Sequence, residues 1–152
     1  KKNLKLHVRE SVENCVKLEK KMGLNKIDTY RDFFTRIENK KNELHELFTK
    51  LKSENKTIIG FGAPAKATTF MYQFCIDEKI IDFIIDDSPL KQGLFSPGMH
   101  VPVYSSKKIY EEKPDYIIIL AWNFAQSIME KHKKFKSNGG HFIIPLPKLE
   151  VN

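Results

Sequence analysis

Thr57-Ile58-Ile59-Gly60-Phe61-Gly62-Ala63-Pro64-Ala65-Lys66 decides the reading of the fold: a short β-rich run breaks into a glycine turn and then into residues that favour helix. Gly60 and Gly62 permit a tight turn, Pro64 suits a first helical turn, and Lys66 sets a cation just inside the helix. In open α/β sheets ligands collect at the carboxyl ends of strands, where the opening amides of a helix can approach an anion. Gly60, Gly62, Ala63, Pro64, Ala65 and Lys66 therefore form a candidate diphosphate cradle. The same residues fit a loose Gly-x-Gly-x-x-Ala dinucleotide fingerprint, and Asp86 follows Ala65 at about the ~20-residue interval of a ribose-binding acid. A nicotinamide cofactor, and a turn kept only for packing, stay open beside the phosphate reading.

Downstream, the pattern predicts a helix over 65–75, a strand over 80–85 ending at Asp86 and Asp87, and a loop over 89–102 containing Gly93 and Gly98. Val101 and Val103 suggest a short strand, Ser105 a cap for a helix through Glu112, and 116–120 a central parallel strand. A helix over 124–135 is stopped by Asn138, Gly139 and Gly140, and the last strand runs over 142–144. Strand and helix in alternation mean an α/β fold: a Rossmann-like three-layer domain with a mostly parallel sheet over 56–152.

Residues 9–55 read as a helical arm in front of that domain. Val12, Cys15, Val16 and Met22 follow helical spacing and Gly23 is placed to end the helix. Asp28 is the expected N-cap of a long helix carrying Tyr30, Phe33, Phe34, Ile37, Leu44, Leu47, Phe48 and Leu51. The stripe breaks at Lys40 and Lys41, so an amphipathic helix laid on a neighbouring sheet or domain is expected rather than a coiled coil. Leu4, Leu6 and Val8 alternate like a strand with no partner nearby, which reads as a frayed tail or as the end of a truncated upstream domain over 1–8.

The second group of candidate ligand contacts lies at the same sheet edge. Asp87 ends the second strand, Lys91 follows in the loop, and Trp122 with Asn123 closes the 116–120 strand with an aromatic face and an amide. His100, beside Pro97 and Gly98, is a further pocket candidate. No Ser-His-Asp ordering, His-Glu-x-x-His motif or prominent carboxylate pair appears, and Cys15 and Cys75 lack zinc or disulfide spacing, so no catalytic or metal residue is assigned. The chain has 152 residues, 26 Lys and Arg against 19 Asp and Glu, and a net charge of +7, which favours anionic partners. Nucleic acid is disfavoured, because many of the lysines fall on solvated helix faces. No apolar run reaches the ~20 residues of a membrane span, and the unpaired cysteines suit a reducing, cytoplasmic setting.

Six ordered blocks carry a family resemblance: Gly60 to Lys66, Asp87 to Gly93, Pro97 to Pro102, Lys113 to Tyr116, Ala121 to Phe124 and Gly139 to Pro145. Together they resemble the C-terminal domain of S-adenosylmethionine-dependent C-methyltransferases that act on nucleotide-linked deoxysugars. The resemblance is dense over 56–147 and looser in the arm. It implies a substrate-binding domain for a nucleotide-diphosphate sugar. S-adenosylmethionine, the catalytic base and the zinc cysteines would belong to upstream parts of the same polypeptide. The isolated chain is then expected to hold no cofactor and to be inactive. The alternative is an NAD(P)-type oxidoreductase domain or nucleotide sensor using the same glycine turn.

Overall fold

The computed structural model describes residues 9–152, so the strand and the upstream-domain end expected over 1–8 lie outside the described residues. The chain divides into two compact units, 1–39 and 40–152. Helix α1 (Glu10–Lys21) and the first half of α2 (Ile27–Ser53) belong to the smaller unit. As its glycine predicts, α1 ends at Gly23, which takes a φ of 72° while the Leu24 amide returns to the Glu19 carbonyl at 3.0 Å. Asp28 is not the N-cap of α2. The helix already includes Ile27, and Asp28 sits in its first turn, where a negative charge suits the helix dipole and the carboxylate pairs with Arg31 at 3.0 Å.

The larger unit is built on a six-stranded sheet of order β3-β2-β1-β4-β5-β6. Its strands are β1 (Ile58–Phe61), β2 (Ile84–Ile85), β3 (Val103–Tyr104), β4 (Tyr116–Ile119), β5 (His141–Ile144) and β6 (Glu150–Val151). The first five are parallel and β6 runs antiparallel to β5. The α/β class and the mostly parallel sheet read from the sequence are thus present, with the strand order of doubly wound sheets. The antiparallel β6 follows the last strand that periodicity reveals, and with two residues it is too short to show a period.

Three departures from the sequence pattern go beyond a residue or two at an element's end or concern its cap. The strand expected over 80–85 contracts to Ile84–Ile85, because the amides of Ile80 and Ile81 turn back to the Asp77 carbonyl. The helix expected over 124–135 is a 3₁₀ turn (Trp122–Phe124), α5 (Ala125–Lys131) and α6 (Lys133–Ser137), broken at His132. Helix α4 (Lys107–Glu112) is preceded by Ser106 without a side-chain cap, while Ser105 contributes only its carbonyl, to the Lys108 amide.

Alternate strand residues supply two buried faces. Ile59, Phe61, Ile85, Ile117, Ile119 and Phe142 pack with Ile109 of α4, Ala125 and Ile128 of α5 and Phe135 of α6. On the opposite face Gly60 is a close-approach position: a Cβ there would stand 3.0 Å from Leu120 Cδ1 and 3.1 Å from Ile84 Cγ1. Leu44, Phe48 and Leu51 of α2 and Phe70 and Met71 of α3 (Ala65–Gln73) are also buried. His45 Nε2 lies 2.6 Å from the Phe74 carbonyl oxygen and ties α2 to the end of α3. No helix among the described residues is long and apolar enough to cross a membrane.

Candidate functional site

Strand β1 lies between β2 and β4, the point at which the chain order reverses across the sheet. Phe61 pairs in register with Ile85 on one side and Ile119 on the other. Residues 62–66, 86–91 and 121–123 therefore leave the sheet at one edge. Gly62 can only be glycine here, because its φ is 91° and an added Cβ would stand 2.6 Å from the Ala121 Cβ.

The turn's amides divide into engaged and open groups. Gly62 donates to the Ile85 carbonyl at 2.6 Å, and Ala63 donates to Asp86 Oδ2 at 2.7 Å. Both donors are satisfied within the chain. Helix α3 starts at Ala65 without a side-chain cap from Pro64. The Ala67 amide bonds the Pro64 carbonyl at 2.8 Å, whereas those of Ala65 and Lys66 stand in the first turn, where helix geometry supplies no carbonyl. The open end of the cradle is therefore Ala65 and Lys66.

Lys66 is already held in place. Its Nζ stands 4.1 Å above the centroid of the Trp122 ring, whose centroid lies 5.3 Å from that of Phe70. Such a cation–π contact contributes about 0.5–2 kcal/mol and leaves ammonium hydrogens free to bond an anion. This joins two of the sequence-predicted residues directly. Asn123 follows on the exposed part of the 3₁₀ turn.

Asp86 organises the opposite side of the turn. Oδ2 accepts from Ala63 at 2.7 Å and from Lys91 Nζ at 3.1 Å, Oδ1 accepts from the Ser88 amide at 2.9 Å, and Gln92 donates to its carbonyl at 3.0 Å. Burial works to raise its pKa, but the bonds from Ala63 and Ser88 and the Lys91 ammonium outweigh it and hold the carboxyl below its ordinary value. Lys91 thus faces Asp86. Asp87 forms a 2.8 Å ion pair with Lys131. Its pairing with α5 joins elements 44 positions apart and leaves no local sequence signal.

His100 is drawn into its own loop, stacked on Phe95 with centroids 4.7 Å apart, and Tyr72 of α3 packs against Gly98 nearby. His132, which no sequence motif singles out, is buried, with Nδ1 3.3 Å from the Tyr110 hydroxyl and its ring 5.0 Å from Phe61. Burial and the neighbouring Lys131 lower its pKa against the opposing pull of Asp87, so the ring is neutral at neutral pH. A separate cavity of about 350 Å³ lies where β4 and β5 begin, lined by Tyr110, Lys113, Lys134 and Gly139 among others.

The edge presents a cation on an aromatic ring beside an uncapped helix start, with two aspartates closed by lysines. It suits an anionic oxygen-rich group better than a cationic one. Residues 1–147 match the family described as the C-methyltransferase C-terminal domain. The chain is also 35% identical over 144 residues to the C-methyltransferase NovU of Streptomyces niveus, which covers 95% of this chain and 34% of that relative. The chain thus spans about a third of the length of the curated relative it matches. With the match running from the helical arm through the glycine turn to β5, the chain belongs to the C-methyltransferase C-terminal domain family.

Proposed function

We propose that this chain is the nucleotide-sugar-binding part of an S-adenosylmethionine-dependent C-methyltransferase acting on a nucleotide-diphosphate-linked deoxysugar. The observation that carries the reading is Lys66 held 4.1 Å over Trp122 at the uncapped start of α3. A diphosphate there would take hydrogen bonds from the amides of Ala65 and Lys66 and from the Lys66 ammonium, with the helix start adding its partial positive charge. The Trp122 ring and the Asn123 amide would border the adjoining nucleoside or sugar. Holding this remote handle orients the reacting carbon without touching it.

The methyl donor does not suit this edge. Its sulfonium is cationic, Lys66 is cationic, and Asp86 and Asp87, the acids able to answer a cation, already face Lys91 and Lys131. Methyl-donor binding and the base that removes a proton beside the sugar keto group are therefore assigned to another part of the polypeptide. The NAD-type alternative needs an acid after β2 free to bond ribose. Asp86 is the residue at that position, and the bonds from Ala63, Ser88 and Lys91 count against it.

The test is steady-state kinetics of the intact enzyme carrying Lys66→Ala. Loss of a charge-assisted hydrogen bond of about 1.5–3 kcal/mol is expected to raise KM for the nucleotide sugar roughly ten- to a hundredfold. Any fall in the turnover number would report the part of that binding energy used to orient the reacting carbon. An unchanged KM would remove the diphosphate from this turn.

A further inference from the structure

Two stretches of amphipathic helix in the smaller unit carry apolar stripes that stand exposed among the described residues. Val12 and Val16 of α1, with Met22 just after it, are 50%, 43% and 58% exposed, and Ile27, Phe33 and Phe34 of α2 are 64%, 54% and 59% exposed. Helix α1 has no buried residue at all, and the buried residues of α2 are Leu44, Phe48 and Leu51, all in the larger unit. What fixes the bend between the helices is local: Thr29 donates to the Gly23 carbonyl at 2.8 Å and Tyr30 to the Leu24 carbonyl at 2.6 Å. Helices shorter than about 12–15 residues are marginal in water without packing, and α1 has 12. Apolar side chains grouped this way mark an interaction surface.

We propose that these stripes dock the methyltransferase portion of the same polypeptide. The inference rests on the functional reading only in taking that portion to belong to one chain with this domain. The NovU match covers 34% of that relative, leaving about two thirds of its length to supply a covering surface. The matched family is a C-terminal domain, so in its members the remainder precedes the match, and among the described residues 10–37 lie in the part of the match nearest to it in sequence. A second copy of this chain fits less well. The uncovered α2 stripe ends at the Lys40-Lys41 break, well short of the three to four heptads that sustain a coiled coil. The smaller unit is thereby a docking element, while the sheet unit holds the ligand.

Hydrogen exchange tests this, comparing the intact enzyme with the isolated chain at two concentrations tenfold apart. The amides of 10–37 are expected to exchange at least tenfold more slowly in the intact enzyme, and equally fast at both concentrations in the isolated chain. In the intact enzyme, Val16→Asp with Phe34→Asp should abolish that protection while leaving thymidine diphosphate binding unchanged. Equal exchange in enzyme and isolated chain would overturn the proposal, as would protection that grows with the isolated chain's concentration, the mark of self-association. Failure of wild-type enzyme to bind thymidine diphosphate would defeat the functional reading alone, and the exchange result would stand apart from it.

Discussion

Asp86 shows how one side chain can set the chemistry of a turn. Because its carboxylate is stabilised in the folded chain by Ala63, Ser88 and Lys91, its pKa lies below the ordinary 3.8. A carboxyl with a depressed folded-state pKa contributes stability that is complete above the unfolded value and is lost as pH falls through the folded one. Urea unfolding of the wild type should therefore show a loss of stability below about pH 4 that is smaller in Asp86→Asn. Above pH 5 the variant should be the less stable of the two, since Lys91 loses its ionic partner and the neutral amide accepts more weakly from Ala63. Identical pH profiles would mean that Asp86 contributes nothing through its charge. The residue was visible in the sequence as the acid about 20 positions after the glycine turn. Its inward closure was not, because the partners at Ala63, Ser88 and Lys91 come from two different loops.

At the scale of elements, α2 carries one apolar periodicity with two fates. Phe48 is 2% exposed in the larger unit, whereas Phe33, earlier on the same helix, is 54% exposed. Phe48→Ala should lower the stability of the larger unit by about 3–5 kcal/mol, as for a large core side chain removed from a packed site. Phe33→Ala in the isolated chain should change it by no more than about 0.5 kcal/mol. Chemical denaturation of both variants measures this, and equal effects would contradict the division of the helix. Periodicity identified both stripes as apolar but could not say which had a partner, since burial depends on what lies across from the helix. The same limit explains the short β2, where Ile80 and Ile81 have the composition of a strand but their amides close a turn on Asp77. Parallel strands such as β4, buried on both faces, give continuous apolar runs and were plain in the sequence.

At the scale of the whole molecule, the lysines of the larger unit meet different fates. Lys52, Lys56, Lys91, Lys108 and Lys131 are each paired with a carboxylate, whereas Lys66 rests on an aromatic ring at the edge where three loops meet. The sequence placed a cation beside that turn, but not its seat on Trp122, because the two residues are 56 positions apart and only the β1–β4 pairing brings them together. That contact also supplies a direct readout, since Trp122 is the chain's one tryptophan. An anion that draws the Lys66 ammonium from the ring must alter its emission. Titrating the isolated chain with thymidine diphosphate should give a saturable change in tryptophan fluorescence that Lys66→Ala abolishes and NADH does not reproduce. No saturable change, or the same curve in Lys66→Ala, would contradict the account.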